Sequence, residues 1–403
     1  VRAAGDDAGV PDDVRRAVTV DEEALVAAIR ADPDGDGPRI AYADWLGERG
    51  DRLGEWIALR MQDERLAPDD PARKPLWARL DALGFGERWH RAFDQYVSTE
   101  RGMVSALALA PDQLRDDLLP HLRGTMVRDL SLGHGHVDAD GMAALARALA
   151  RMAVRKLRLA AYLTLAQRTR LWPLLPGLES LAMWETALAD DDGRALADAP
   201  LPRLRELHAR YVSHPVRTDG LFGDAGAIAL AGSTRLVALR DVTLRCWRIT
   251  ARGAAALLDG ALPLDALDVS GNAIGAAGVV DLVRKPAAAR LRALGLAGVG
   301  LDDDAAVALA ASPQLANLRR LVLSYESMAS GLSMRGVTAL AASPYLSPEL
   351  EVVIDGAALD LTTSVGTDAM TGQVVMTSWQ GSPPAAIAER FHVTVDGYAP
   401  EPT

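Results

Sequence analysis

One string sets the frame for most of this chain: LDALDVSGNAIGAAGVVDL, residues 264–282. Its marker positions are Leu264, Leu267, Val269, Asn272, Ile274, Gly278 and Leu282. They recur in phase as Leu291, Leu294, Leu296, Val299, Leu301, Ala305 and Leu309, and earlier as Val127, Leu130, Leu132, Gly135, Val137, Gly141 and Leu145. Leu239, Val242, Leu244, Trp247, Ile249, Gly253 and Leu257 fit the same frame, and further starts fall at Val104, Val154, Leu178, Leu204, Leu318 and Leu350. This amounts to about nine or ten units spaced near 23–28 residues, two of them longer. The LxL segment of each unit reads as a short strand with alternate residues turned inward. The small residue that follows lets a helix sit close, and that helix buries its Leu on the same side. Each buried Leu or Val contributes about 1.5–3 kcal/mol. A single unit cannot close its own core, so the units must stack.

The frame LxxLxLxxNxLxxxGxxxL resembles the ribonuclease-inhibitor-like class of leucine-rich repeats. The resemblance implies an α/β fold: a leucine-rich-repeat solenoid with parallel strands on the concave face and helices on the convex face. Only Asn272 meets the asparagine position; Gly135, Thr186, Trp247 and Val299 stand at its equivalents. These turns therefore cannot share one asparagine ladder, and irregular curvature is expected. Aromatic residues are only 5% of the chain, so the core is built mainly from Leu, Ala and Val.

Ahead of the repeats the pattern is helical. Residues 1–18 are polar and rich in Gly and Asp, and read as a disordered tail. Order is expected from Thr19, with Thr19 and Glu22 as a capping box and Leu25, Ala28 and Ile29 at helical spacing. Asp32-Pro33 ends that helix. A second starts at Pro38, carries Ile40, Ala43 and Leu46 on one stripe with Trp45 beside them, and stops at Gly50. A third spans about residues 52–64 with Leu53, Trp56, Ile57 and Leu59. The string EEALVAAIRADPDGDGPRIAYADWLGERGDRLGEWIALRMQ, residues 22–62, resembles the bacterial repeat-companion domain of myxobacterial and planctomycete proteins. Its YADWLGERGD core is the specific part. Trp56 departs from the family's usual Phe, and Arg60-Met61-Gln62 delays the closing Gln. The family has no established activity, so the resemblance implies company with repeats and no chemistry.

The expected organisation is a tail over 1–18, the helical companion module over 19–66, a helical connector or N-terminal cap over 67–100, repeats over 101–355 and a C-terminal cap over 356–403. In the last segment LDLTTSV and QVVMTSW alternate around GTDAMTG as a β-hairpin does, followed by a short helix at 384–390 and a strand, FHVTV. Residues 356–403 cover the last repeat in this reading, with a second binding module as the open alternative.

Several strings imitate chemistry. Asp44 is read as a helix acid paired with Arg39 or Arg49 rather than a catalytic carboxylate. Asp32, Asp34, Asp36 and Gly37 copy the opening of a calcium loop, but Ala43 stands where its bidentate Glu belongs, so a turn is expected. His134, His136, Asp138 and Asp140 crowd into GHGHVDAD, which the frame places in a strand-to-helix turn rather than a metal site. Cys246 with His208 as base is a candidate nucleophile, read instead as filler. GLAGVG, residues 295–300, lacks the full dinucleotide fingerprint. The expectation is no catalytic residue, no metal and no cofactor.

A net charge of −11 disfavours a general nucleic-acid or anionic-membrane binder, because phosphate neutralisation needs a basic surface. One cysteine excludes an internal disulfide framework, and a reducing cytoplasm is the simplest compartment. No apolar run approaches the roughly 20 residues that cross a bilayer. No secretory signal is read in VRAAGDDAGVPDDVRR, and Val1 leaves a preceding leader open.

What remains is the face of the strands opposite the inward Leu pairs. It carries Lys156 and Arg158 on one strand, Trp184 on the next, then Glu206, His208 and Arg210, then Asp241, Thr243 and Arg245. Arg and Trp anchor protein interfaces. The same residues also read as a solvated face with an ion pair such as Glu206–Arg245. Two long units insert YVSHPVRTDGLF and YESMASGL, which adds Tyr211, Arg217 and Tyr325. The expected function is a non-catalytic bacterial scaffold that binds a protein or peptide with an acidic feature on the concave face. The alternatives are a substrate-recognition subunit or regulator of a protein-modifying or proteolytic enzyme system, and a purely structural spacer.

Overall fold

A computed structural model of the protein describes residues 12–93, 97–115, 118–184, 188–211, 221–324, 331–354, 362–367, 374–380 and 390–395. The chain divides into two compact units, Val1–Arg155 and Lys156–Thr403.

The first unit opens with α1 (Asp12–Ala31), α2 (Gly37–Glu48) and α3 (Arg52–Glu64). Helix α1 begins ahead of Thr19, so Thr19 and Glu22 lie inside it rather than at its cap. Glu22 instead accepts from the Tyr42 hydroxyl at 2.8 Å and from Arg123 at 2.8 Å. Helix α2 has Pro38 in its first turn, and Gly50, just past its end, takes φ 71°. That left-handed backbone lets the chain reverse into α3, whose first turn is capped by Asp51 accepting from Leu53 N–H at 2.9 Å. Tyr42, Ala43 and Leu46 of α2 are buried, as are Leu53, Trp56 and Ile57 of α3. A Cβ on Gly54 would lie 2.3 Å from the Ala43 carbonyl, so only glycine admits this approach of the two helices. Ile40 is not on the buried stripe; it is 44% exposed. Arg39 holds the inward place, because its guanidinium donates to the carbonyls of Gly35 (2.8 Å) and Pro33 (2.7 Å). Both terminal nitrogens of this buried cation are thereby paired, which offsets much of the cost of taking it out of water.

The acidic turn before α2 is an arginine-binding loop. Asp34 pairs with Arg128 at 2.9 Å, and Asp36 accepts from Arg65 at 2.8 Å and Arg101 at 3.0 Å. The Arg128 charge holds the Asp34 carboxyl below its ordinary range. Arg39 is committed to backbone carbonyls and Arg49 donates to the Trp45 carbonyl, so the pairing expected for Asp44 is replaced by these contacts.

Helices α4 (Arg73–Leu83) and α5 (Phe85–Phe93) follow, with Trp56, Phe85 and Trp89 rings 5.5–6.0 Å apart. Residues expected to be helical up to 100 end instead in a strand: β1 (Val97–Glu100) turns through Arg101 and Gly102 and pairs antiparallel with β2 (Met103–Leu109). After a short α6 (Leu118–His121), β3 (Thr125–His136) lies parallel to β2 with Leu107 against Leu130 and Leu109 against Leu132, and α7 (Ala139–Leu149) closes the unit.

The second unit repeats a strand and a helix. Its order is β4 (Lys156–Tyr162), α8 (Leu165–Leu171), β5 (Ser180–Trp184), α9 (Asp190–Ala197), β6 (Glu206–Arg210), α10 (Asp224–Ala231), β7 (Asp241–Arg245) and α11 (Ala251–Asp259). Then come β8 (Ala266–Asp268), α12 (Gly275–Arg284), β9 (Ala293–Gly295), α13 (Asp303–Ala310), β10 (Arg320–Val322), α14 (Met334–Ala341) and β11 (Glu351–Ile354). All these strands are parallel, each beside the next in chain order. Leu157, Leu181, Leu207, Val242, Leu267, Leu294, Leu321 and Val352 share one register row, and every one is buried. Leu159, Met183, Ala209 and Leu244 form the second inward row. The strand-and-helix frame read from the repeats is therefore present as a mixed α/β architecture with a long parallel sheet.

Successive helices are tied by carboxylates at their N-termini. Asp190 accepts from the N–H groups of Gly223 and Gly226, both at 2.8 Å. Asp224 accepts from Thr250 (2.8 Å) and Gly253 (3.1 Å), and Asp303 from Ser333 (2.9 Å) and Gly336 (3.0 Å). Each carboxylate thus caps the following unit's helix. A Cβ on Gly253 would lie 2.4 Å from Asp224 Oδ1, which is why this position is small.

At the far end β12 (Thr362–Thr367) and β13 (Val374–Gln380) form the expected antiparallel hairpin. The final β14 (His392–Val395) pairs parallel with β11 and adds one more strand to the ladder. The helix expected at 384–390 falls almost wholly outside the described residues. Among the described residues no helix is long and apolar enough to cross a membrane.

Candidate interaction surface

Alternation along β4 to β7 turns one set of side chains inward and the other outward. Parallel register then lines up the outward set in three rows. Lys156, Ser180, Glu206 and Asp241 make the first, and Arg158, Ala182, His208, Thr243 and Asp268 the second. Trp184, Arg210 and Arg245 make the third. Lys156, Arg158 and Glu206 are exposed, and Trp184 is 41% exposed. His208, Arg210, Asp241, Thr243 and Arg245 are half-buried, as is Tyr211 just beyond β6. The structure thus brings ten of the eleven expected residues to neighbouring register positions on four adjacent strands or at their ends. Tyr325 and Arg217 lie outside the described residues. Tyr162, 38% exposed at the end of β4, belongs to the same outward set and was missed, although the alternation of KLRLAAY continues to it.

The ion pair on this face differs from the expected Glu206–Arg245. Arg245 reaches Asp268 Oδ2 through Nε at 2.9 Å and through a terminal nitrogen at 2.7 Å. Register explains the choice. Glu206 stands opposite Asp241, four residues from Arg245 and so about 13 Å along the strand, whereas Asp268 stands opposite Thr243, only two residues away. The second Asp268 oxygen accepts from Ser270 N–H at 2.9 Å. The carboxylate fills the space over Gly295, where a Cβ would come within 2.2 Å of it. The glycine of GLAGVG therefore makes room for an acid. The amides that follow are committed too: Leu296 N–H donates to the Val322 carbonyl and Ala297 N–H to Ser270 Oγ.

Asp241 has its carboxyl pushed above the ordinary range, chiefly by burial. The nearby charges of Glu206 and Asp268 act in the same direction, while His208 and Arg245 oppose it.

Below the third row the turns are fixed by two side chains. Asn272 is buried; it donates to the carbonyls of Leu244 (2.7 Å) and Val269 (2.8 Å) and accepts from the N–H groups of Trp247 and Ile249, both at 3.1 Å. Trp247, at the equivalent place one unit earlier, donates its indole N–H to the Ala209 carbonyl at 3.1 Å. Its ring lies 5.3 Å from Tyr211 and 6.0 Å from Phe222. Cys246 sits beside it in a left-handed backbone conformation, φ 62°, half-buried, its N–H donating to the Ser270 carbonyl.

In the first unit His134 and His136 lie at the end of β3, where an open cavity of about 840 Å³ is lined also by Pro111, Arg115, Asp140 and Arg147. Asp138 accepts from Gly141 N–H at 2.7 Å and caps α7. Among the described residues no three His, Cys, Asp or Glu side chains are grouped to hold a metal ion.

The fold and this face define a mixed α/β protein of repeated strand–helix units with a polar strand surface. No family model matches the chain, and no curated protein matches it. Among solved structures, the crystal structure of the Rad7 and Elc1 complex in yeast aligns over 85% of this chain and 84% of that chain, at a TM-score of 0.40 and 14% identity.

Proposed function

We propose that the chain is a leucine-rich-repeat protein of the non-catalytic, interaction class, and that it binds a protein or peptide across the outward face of β4 to β7. The observation that carries this reading is the register. It sets Lys156, Arg158, Trp184, Glu206 and His208 beside one another on a parallel ladder whose opposite rows are buried. A rigid ladder presents such groups with little ordering cost on binding. Trp184 supplies the exposed aromatic anchor that interfaces favour. The repeat reading is supported by the recurrence of the strand, the small residue and the helix, and by Asn272 bonding two successive turns. The companion-module reading is supported by the packing of YADWLGERGD, whose Tyr42, Ala43 and Leu46 are buried against α1 and α3.

The test is capture from the source organism with the protein and with its Arg158→Glu/Trp184→Ala variant. The proposal expects a discrete protein retained by the first and lost with the second, while the thermal melt is unchanged. Identical capture by both contradicts it.

A further inference from the structure

The outward face is divided by charge. Lys156 and Arg158 are exposed at its β4 end. Two and three strands further on, the first row ends in two carboxylates, Glu206 and Asp241, set directly opposite each other in register. In the third row Arg245 is bound to Asp268, and Arg210 stands beside it, half-buried and two residues along β6 from His208. We propose, resting on the function proposed above, that this face takes a partner segment of mixed charge, with an acidic side chain for Lys156 and Arg158 and a basic one for Glu206 and Asp241.

Charge complementarity carries the argument. A wholly acidic segment satisfies Lys156 and Arg158 but is repelled at Glu206–Asp241, and a wholly basic one meets the reverse fate; like charges brought together across an interface cost several kcal/mol. Strands in a sheet are about 4.8 Å apart, which puts Lys156 roughly 10 Å from the Glu206 strand and roughly 14 Å from that of Asp241. An extended chain laid across the strands advances about 3.3 Å per residue and shows alternate residues to one side. Its acidic and basic groups then fall best four residues apart, near 13 Å. At Asp241 burial and the charges of Glu206 and Asp268 disfavour the ionised form while His208 and Arg245 favour it; burial leads, so a cation arriving opposite Glu206 and Asp241 would add to the favourable side.

The experiment uses the full chain and short fluorescein-labelled peptides carrying Asp and Lys at separations from one to six residues, with all-Asp and all-Lys peptides of equal length as references. Binding is followed by fluorescence anisotropy. Mixed peptides at the four-residue separation are expected to bind at least about tenfold more tightly than either reference, a difference of about 1.4 kcal/mol. Glu206→Lys should move the preference toward all-Asp peptides, and Arg158→Glu toward all-Lys peptides; both positions are exposed, so folding is not at stake. References that bind as well as the mixed peptides, or no binding by any mixed peptide, overturn the proposal. If all-Asp peptides bind best and Arg158→Glu abolishes it, the mixed-charge proposal fails while the surface stands. Binding indifferent to both substitutions removes the surface itself.

Discussion

Asn272 and Trp247 perform the same task on consecutive turns. The carboxamide of Asn272 donates to the Leu244 carbonyl, and the indole of Trp247 donates to the Ala209 carbonyl, the residue opposite Leu244 in register. Asn272 in turn accepts the Trp247 backbone N–H. A buried turn needs these donors and acceptors matched, since each unsatisfied one costs about 1–3 kcal/mol. Asn272→Ala strands the N–H groups of Trp247 and Ile249 and two carbonyls. The expected loss is about 2–4 kcal/mol, read by urea denaturation with the midpoint lowered. Trp247→Phe keeps most of the packing and loses one bond, so the drop should be smaller, about 1 kcal/mol.

A buried ion pair joins the first two helices of the second unit. Arg168 reaches Asp192 Oδ1 at 2.6 and 2.8 Å and also donates to the Leu163 carbonyl, with both side chains 5% exposed. Removing one partner leaves the other buried and uncompensated. Arg168→Met should therefore cost about 3–5 kcal/mol, whereas replacing both by apolar residues of similar volume should recover much of that loss. Equilibrium unfolding of the single and double variants checks the difference; equal losses would show that the pair is not the source.

Asp241 gives a pH signature of the opposite sign to an ordinary salt-bridged acid. Its folded carboxyl holds a proton more tightly than the unfolded one, so ionisation at neutral pH works against folding. The associated cost is absent below the unfolded value of about 3.9 and is fully present above the raised folded value. Asp241→Asn is expected to raise the melting temperature at neutral pH, with the gain shrinking as the pH falls toward that lower value. A gain that is the same at both ends of the range would contradict the raised affinity for protons.

Gly295 is required by the acid above it. A methyl at this position meets the Asp268 carboxylate at 2.2 Å, a displacement the neighbouring Arg245 and Ser270 contacts resist. Gly295→Ala should cost about 1–3 kcal/mol by overpacking. Gly295→Ala combined with Asp268→Ala, which removes the clash, should be less destabilised than the sum of the two single variants, measured by a double-mutant cycle.

Much of this architecture was legible because two periods dominate the chain. Alternation within LxL predicts which residues of β4 to β11 turn inward, and Leu244, Leu267, Leu294 and Leu321 are all buried as that pattern requires. The hairpin of β12 and β13 follows from the same alternation. The misses have physical causes that periodicity does not carry. Ile40 yields its inward place to Arg39, whose two terminal nitrogens reach backbone carbonyls several residues back. Arg245 selects Asp268 over Glu206 because strand register, not sequence distance, decides reach. Trp247 looked like a defect in an asparagine ladder, yet its indole N–H supplies one of the same bonds. On the outward face, residue positions were readable and pairings were not.

The most direct test of the account places a photo-crosslinking amino acid at Ala182, which lies between Arg158 and His208 in the second outward row, and at Arg252, exposed on α11. Irradiation in cells of the source organism is followed by mass spectrometry of the adducts. The account predicts a discrete protein adduct from position 182 and none from position 252. Adducts from position 252 alone, or equally from both, would contradict recognition by the strand face.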